Sequence, residues 1–303
     1  MNPKSNIVCV GDIMVECILR LPSLPPANAT LVLDSVSQEL GGAAFNICWY
    51  LSQFGLRPRL IGPVGQRNNA LVAEAFSSAK LDDSGLVSIE GDTDLLIAIL
   101  TDRYHYSIYL RARVPDDIGL EMLSRCGSAK CLVLAGSRHA SIRRTFLALA
   151  DTFSGEFLAF NPSYAIYEYD KEELAKLLKQ AHVATLNEQE AERACKALDV
   201  SDCERLSKYV PGSLIVTLGE KGVRVYHQSR VLEMGSLTGS QCTAVGAGDA
   251  FFAGFLFETI RGCSVVEATR FASGLAAYVV EASQVRAQVS EDRIRQGLTN
   301  YQD

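Results

Sequence analysis

A glycine-rich turn that ends in an aspartate precedes an apolar helix in the last quarter of the sequence. Gly246, Ala247, Gly248 and Asp249 lead into a run of apolar residues at 250–257. Glycines let the backbone approach a ligand closely, and the free N–H groups at a helix start attract anions. An aspartate there can accept the proton of a hydroxyl while the amides hold the charge of a transferring phosphoryl group. Taken alone, the four residues are more typical of an ordinary helix start.

Two further glycine-rich segments could approach a ligand in the same way. The first precedes a predicted helix and offers an amide side chain that can bridge hydroxyls, whereas the second ends a strand where a nucleotide could lie on bare backbone. Each alone is also typical of a tight turn. The residues concerned are Gly41, Gly42 and Asn46 in the first segment, and Thr217, Gly219 and Gly222 in the second.

The composition indicates a soluble globular protein. The chain has 303 residues, 48% of them hydrophobic, and a formal net charge of −6. We expect no transmembrane segment, because the apolar runs are shorter than the roughly 20 residues of a membrane span. No signal peptide precedes the strand-like Ile7–Val10, so we expect a cytoplasmic location. The acidic balance argues against nucleic acid as the main partner.

The cysteines and histidines do not suggest a metal centre. The nine cysteines are odd in number and lack zinc-like spacing, so we expect reduced core residues. Cys242, near the glycine-rich turn, leaves a catalytic thiol as a minor alternative. The four histidines are dispersed and suggest neither a metal cluster nor a serine triad.

Short β-like runs alternate with longer helical patterns along the chain. The predicted strands are Ile7–Val10, Arg59–Ile61, Cys131–Leu134, Phe157–Phe160, Val183–Thr185, Leu214–Leu218 and Val223–Tyr226. The predicted helices are Ala43–Phe54, Asn69–Ala79, Ile142–Phe153, Lys171–Gln180 and Glu188–Leu198. This alternation is typical of a three-layer α/β fold with a mainly parallel sheet. Since no linker or repeat interrupts it, we expect residues 1–303 to form a single domain.

One segment departs from this alternation and predicts an antiparallel hairpin that belongs to a second, smaller sheet. The predicted strands of this sheet are Val15–Leu19, Leu31–Val36, Leu95–Leu100 and Tyr104–Leu110. It would be built from segments near 12–38 and 92–114. Alternation places Tyr106, Ile108 and Leu110 on one face of the last strand. An apolar face on a small sheet needs a cover, so we expect a lid or a homodimer surface; an edge hairpin packed on the body is the alternative.

Four separated motifs, in order, resemble those of the ribokinase-type (PfkB) sugar and nucleoside kinases. The resemblance runs over nearly the whole chain. The matching residues are Gly41 and Gly42 with Asn46; Asn187 and Glu190 of an Asn-x-x-Glu motif; Thr217, Gly219 and Gly222; and the run Gly246 to Asp249. The family's fold is a three-layer αβα ribokinase-like architecture with a mainly parallel central sheet and a small β-sheet lid. The resemblance therefore implies the same architecture here.

The resemblance also implies a reaction, the transfer of the ATP γ-phosphate to a hydroxymethyl group of a sugar or nucleoside. Asp249 would be the general base, and the amides of Gly246, Ala247 and Gly248 would form the anion hole. No P-loop sequence occurs, and no dinucleotide-binding Gly-x-Gly-x-x-Gly follows the first strand, which makes an oxidoreductase the weaker interpretation.

The remaining motif residues would bind ATP, magnesium and the acceptor. The resemblance assigns Asn187, Thr217, Gly219 and Gly222 to ATP, and Glu190 to Mg²⁺ through water. On the acceptor side it assigns Gly41, Gly42, Asn46 and Glu16, where relatives often carry an aspartate. Glutamate reaches one methylene further, which suggests a different hydroxyl pattern. Asp12 stays an alternative to Glu16.

Departures from the family pattern leave several points open. Thr243 and Ala244 replace the leading Asp-Thr of the last motif, which places activation by potassium in doubt. Ser283 and Gln284 leave the nucleotide preference open. The lost aspartate slightly favours a likeness to bacterial pseudouridine kinases, although ribose, fructose or another ketose are also consistent. A catalytically silent sugar- or nucleoside-binding protein on the same fold is the alternative function.

Overall fold

The first strand of the chain is apolar and buried throughout. The structure is a computed structural model that describes residues 7–33, 36–101, 105–237, 245–282 and 286–299. Strand β1 (Ile7–Gly11) is buried at every residue. Strands of a parallel sheet are covered on both faces and are therefore apolar throughout, as the sequence IVCVG is.

The strands form two sheets. In chain order they are β1 (Ile7–Gly11), β2 (Met14–Arg20), β3 (Ser37–Gly41), β4 (Arg59–Gly65), β5 (Leu86–Ile89), β6 (Asp94–Leu100), β7 (His105–Leu110), β8 (Cys131–Ala135), β9 (Phe157–Asn161), β10 (Val183–Asn187), β11 (Ser213–Thr217), β12 (Val223–His227) and β13 (Arg230–Met234). The central sheet has nine strands in the order β13-β12-β11-β10-β9-β8-β1-β4-β5. Only the pairings of β12 with β11 and β13 are antiparallel among its described strands. The predicted strands of this sheet are confirmed, with ends shifted by a few residues.

Helices cover both faces of the central sheet. They are α1 (Ala43–Gln53), α2 (Asn69–Ala79), α3 (Ile118–Cys126), α4 (Ala140–Thr152), α5 (Lys171–Gln180), α6 (Glu188–Leu198), α7 (Cys203–Ser207), α8 (Ala247–Ile260), α9 (Val265–Ala282) and α10 (Glu291–Thr299). Alternate residues of β1 enter different cores: Ile7 and Cys9 pack with α1, α8 and α9, whereas Val8 and Val10 pack with α3, α4 and α5. The chain therefore has the three-layer α/β architecture with a mainly parallel sheet that the sequence predicted.

A four-stranded sheet in the order β3-β2-β6-β7, here called the lid sheet, stands apart from the central sheet. The predicted hairpin is confirmed, because β6 and β7 pair antiparallel. The strand predicted at Leu31–Val36 is wrong: the described part of that segment has no strand, and β3 is Ser37–Gly41. The first three residues of β3 are exposed, so this polar edge strand lacks the hydrophobic alternation that would have identified it.

Some predictions fall on residues that the structure does not describe. Tyr104, Cys242, Thr243 and Ala244 lie outside the described residues, as do Ser283 and Gln284. The cysteines of the described ranges are free thiols, and most are buried. No helix within those ranges combines the length and apolar content needed to cross a membrane.

Candidate active site

A cavity of about 500 Å³ opens between the carboxyl ends of the central strands and the lid sheet. Side chains or backbone from all four sequence motifs line it. The predicted site residues on its wall are Glu16, Gly42, Asn46, Asn187, Glu190, Thr217, Gly246, Gly248 and Asp249. The predicted residues that do not line it are Asp12, Gly41, Ala247, Gly219 and Gly222. Ligands of open α/β sheets bind at this edge of the sheet, so the location agrees with the fold.

Asp249 lies in the first turn of α8, beside the amide side chain of Asn46 on α1. Gly246 starts the helix with a φ of 89°, a left-handed conformation that favours glycine. Asn46 Nδ2 donates to Asp249 Oδ2 at 2.9 Å. Burial raises the pKa of Asp249 to about 6, although the Asn46 hydrogen bond opposes that shift. Asp249 is therefore a carboxylate that is ionised at neutral pH and basic enough to take a proton.

Glu16 lies beneath the glycine pair and is already engaged by the protein. Its Oε1 accepts the Gly42 N–H at 2.9 Å. A Cβ on Gly41 would lie 2.0 Å from the Glu16 carboxyl carbon, so only glycine leaves room for this carboxylate. Gly42 has a φ of 94°, and a Cβ there would lie 2.6 Å from the Asp12 carbonyl oxygen. The two glycines thus position Glu16 as well as the start of α1.

Arg286 joins the lid sheet to the start of α1 and was not identified from the sequence. Its Nη1 donates to Asn46 Oδ1 at 3.0 Å and lies 3.4 Å from Glu16 Oε2. Its Nη2 donates to Glu39 on β3. Because Arg286 is a donor only, it requires the oxygen of the Asn46 amide to face it and the Nδ2 to face Asp249. The signal in sequence was weak, since Arg286 lies 240 residues from Asn46.

Asn187 and Glu190 form a reciprocal cap at the start of α6. Glu190 Oε2 accepts the Asn187 N–H, and Asn187 Oδ1 accepts the Glu190 N–H, both at 2.8 Å. Thr217 lies beside Asn187 because the two residues are register partners on β10 and β11. Burial raises the pKa of Glu190 to about 7, and the charge of Asp249 adds to the shift.

Asp12 belongs to a buried polar cluster outside the cavity wall. Its Oδ1 accepts from the Ser137 hydroxyl, and its Oδ2 accepts the Arg138 N–H at 3.0 Å. Nearby, His139 Nε2 lies 2.8 Å from Asp94 Oδ2 at the start of β6. Burial raises the pKa of Asp12 to about 6. The cluster therefore ties the lid sheet to the loop after β8, a role that the isolated His139 did not suggest in the sequence.

Burial alone would lower the pKa of His139. The hydrogen bond with Asp94 and the charge of Asp12 more than offset that effect and hold it above its usual value. The side-chain atoms of Asp12, Asp94 and His139 that could bind a metal ion lie within 4.8 Å of one another. Because both carboxylates already accept hydrogen bonds from the protein, we interpret the cluster as a structural connection.

Comparison with known proteins places these features in a family. The model of the pfkB family of carbohydrate kinases matches residues 4–292. The chain is 25% identical to the nucleoside kinase of Methanothermobacter thermautotrophicus, over 93% of this chain and 91% of the relative. It is 24% identical to the ATP-dependent ribose-1-phosphate kinase of Halopiger xanaduensis, over 98% of this chain and 99% of the relative.

Solved structures show the same fold at lower sequence identity. The nucleoside kinase of Burkholderia thailandensis in complex with inosine has a TM-score of 0.85 and 17% identity, covering 97% of this chain and 98% of that one. Ribokinase from Thermotoga maritima has a TM-score of 0.78 and 19% identity, covering 98% and 100%.

Proposed function

Because this chain belongs to the pfkB family of carbohydrate kinases, we propose that it transfers the γ-phosphate of ATP to a hydroxymethyl group of a sugar or nucleoside. Membership makes it a phosphotransferase with an alcohol group as acceptor. The observation that carries the specific proposal is the position of Asp249, on the cavity wall at the start of α8. The experiment that tests this proposal compares acceptor-dependent ADP formation by the wild type with that by the Asp249→Asn variant.

In the proposed mechanism Asp249 removes the proton from the attacking hydroxyl. Its pKa of about 6 keeps the carboxylate ionised at neutral pH. The backbone N–H groups of Gly246, Ala247 and Gly248 stand at the positive end of α8, where they would stabilise the charge of the transferring phosphoryl group. Among the described residues, no side chain makes a capping hydrogen bond at this helix start.

The ATP site is proposed at the carboxyl ends of β10 and β11. Thr217 and Asn187 are register partners there, and both line the cavity. Gly219 and Gly222 lie in the turn beyond Thr217, and both have positive φ angles. A turn of this kind keeps side chains away from a nucleotide that lies on the backbone.

The residues present fit a magnesium ion held through water. Glu190 is a buried carboxylate on the cavity wall, and its Oε2 accepts the Asn187 N–H. Mg²⁺ is commonly bound by one or two carboxylates together with waters and substrate phosphates. Glu190 would hold it, with Asn187 fixing the orientation of that carboxylate. When bound, the ion would neutralise charge on the ATP phosphates.

Glu190→Gln separates the charge of Glu190 from its capping role. Glutamine can still accept the Asn187 N–H, so we expect α6 to form normally. The half-saturating Mg²⁺ concentration should rise about tenfold, the scale seen when a supporting ligand is lost. Because the raised pKa of Glu190 shows that its charge is costly to bury, the melting temperature at pH 8 should equal or exceed that of the wild type. An unchanged Mg²⁺ titration would contradict the metal role.

The acceptor is proposed to bind against Gly42, Asn46 and Glu16. Gly41 supports this site by leaving room for Glu16. The family includes carbohydrate kinases, and the relatives above are named for a nucleoside and for ribose 1-phosphate, which is consistent with a ribose-like ring. Asp12 would act indirectly, since it does not line the cavity. We propose a cytoplasmic location.

A homodimer through the lid sheet is proposed from its exposed apolar face. Tyr106, Ile108 and Leu110 alternate along β7 and are 41%, 51% and 48% exposed. Ile108→Lys places a charge at the middle of this row, so a dimer in the wild type should become a monomer. Sedimentation velocity measures the change, and Leu120→Lys, at an exposed leucine on α3, is the matched control. A wild type that is monomeric at high concentration would contradict the proposal.

A further inference from the structure

An arginine that the motifs do not include lies on the cavity wall beside the lid sheet. Arg138 follows β8, and its guanidinium carbon lies 4.8 Å from the ring centroids of both Tyr109 and Tyr164. The two ring centroids are only 5.7 Å apart, so the guanidinium covers two adjoining rings and is not enclosed between them. One of its faces is therefore not covered by these rings.

The charge of Arg138 is not neutralised by a neighbouring carboxylate. Within the part of the chain that the structure describes, no carboxylate oxygen lies within 4.0 Å of its guanidinium, and its buried Nε has no hydrogen-bond partner. By contrast, the guanidinium of Arg143 on α4 pairs with Glu173 at 3.1 Å, and Arg286 pairs with Glu39. Those two arginines have carboxylate partners, whereas Arg138 has none among the described residues.

Two carboxylates beside Arg138 and Tyr109, those of Asp12 and Asp94, already accept hydrogen bonds from other donors. Asp12 accepts the backbone N–H of Arg138 and the hydroxyl of Ser137, not the guanidinium. Asp94 accepts from Tyr109 and Ala112 and contacts His139. An arginine guanidinium that carries no ion pair at a cavity wall is suited to bind an oxyanion of a ligand, because its fork of N–H donors matches phosphate or carboxylate oxygens.

Resting on the proposed kinase function, we propose that the acceptor is a sugar phosphate whose phosphate group binds Arg138. Arg138 and Asp249 reach the cavity from opposite helical layers, since Arg138 precedes α4 and Asp249 lies in α8. An acceptor that spans them carries its hydroxymethyl at one end and its anion at the other. The hydroxyl of Ser163, beside Tyr164 on the same cavity wall, adds a donor for a phosphate, whose three terminal oxygens can accept more hydrogen bonds than the two of a carboxylate.

The reaction then produces a sugar bisphosphate. The hydroxymethyl O–H bond breaks and its proton passes to Asp249. The oxygen forms a bond to the γ-phosphorus of ATP, and the bond from that phosphorus to the bridging oxygen breaks to release ADP. The phosphate group on Arg138 is unchanged, because it serves only to bind and orient the acceptor.

Two acceptors with the same ring test this proposal: ribose 1-phosphate and the neutral methyl ribofuranoside. We expect the wild type to favour ribose 1-phosphate in kcat/KM by about 100-fold, and Arg138→Gln to lose most of that preference while retaining turnover of the neutral acceptor. Arg138→Lys keeps the charge but not the forked geometry of the guanidinium. Its preference for ribose 1-phosphate should lie between those of the wild type and Arg138→Gln. Arg144→Gln is the matched control, because Arg144 lies on α4 with its side chain 56% exposed.

A wild type that favours the neutral riboside, or an Arg138→Gln variant that slows both acceptors equally, would overturn the proposal while leaving the kinase function intact. Absence of turnover with every acceptor would instead count against the kinase function. In that case calorimetry with ribose 1-phosphate decides: binding that weakens about tenfold or more in Arg138→Gln supports the phosphate site, and equal or absent binding overturns it.

Discussion

Asp249→Asn is expected to lower kcat by about 100-fold or more, the scale for removing a positioned general base, while ATP binding is retained. Asparagine has nearly the shape of aspartate but cannot take a proton from the attacking hydroxyl. The wild-type kcat/KM should rise with pH through an acid limb near 6, because the base acts only when ionised and its pKa is about 6. That limb should be absent from the residual activity of the variant.

Folding should not limit the Asp249→Asn experiment. Burial raises the pKa of Asp249, which means that its charge is costly in the folded protein, so a neutral residue should not lower the melting temperature at pH 8. Glu267→Gln is the matched control, since Glu267 lies in the first turn of another helix, α9, and is exposed. Turnover in Asp249→Asn equal to that of the control would exclude the assigned role.

Asn46→Asp should also change the pH dependence strongly, because it places a second carboxylate beside the base. Asn46 Nδ2 lies 2.9 Å from Asp249 Oδ2, and two carboxylates at that distance cannot both ionise freely. We expect the acid limb of kcat/KM to move upward by about 1 to 2 pH units. Activity at pH 6.5 should then fall by about 3- to 25-fold and largely recover at pH 8.5.

Arg286 should reduce the shift of the acid limb in Asn46→Asp. Its Nη1 lies 3.0 Å from Asn46 Oδ1, so it would offset part of the new charge. Adding Arg286→Gln to Asn46→Asp should therefore move the acid limb higher still. Asn46→Ala removes the hydrogen bond without adding a charge and should shift the limb less. If the acid limb lay at the same pH in the wild type and in Asn46→Asp, the rate would not depend on the ionisation of Asp249.

Much of the fold could be predicted from local patterns. Strands such as β1 and β8 are buried on both faces, so their sequences are continuous apolar runs between helical patterns. The hairpin β6–β7 was predictable because Tyr106, Ile108 and Leu110 alternate with residues that face the cavity, such as Tyr109. The edge strand β3 was not, because its pairing to β2 depends on backbone hydrogen bonds and its side chains are mostly polar and exposed.

The candidate site was predictable only where its residues belong to short motifs. Asp249, Asn187 and Gly42 could be identified because glycines and helix caps have local requirements. Arg138 and Arg286 could not, since an arginine has no local signature and its partners here come from distant segments. Likewise, the sequence placed Asp12 near the acceptor, but only the fold shows that it faces Ser137 and the backbone of Arg138.

The most direct test of the central claim is acceptor-dependent ADP formation with Mg²⁺ and ATP. The panel contains ribose, ribose 1-phosphate, fructose, uridine, pseudouridine and adenosine, each with and without potassium. We predict that at least one acceptor gives a phosphorylated product with the wild type, and that Asp249→Asn forms it about 100-fold more slowly or less. No acceptor-dependent ADP from a protein that binds nucleotide or sugar by calorimetry would contradict the account and favour a catalytically silent binding protein.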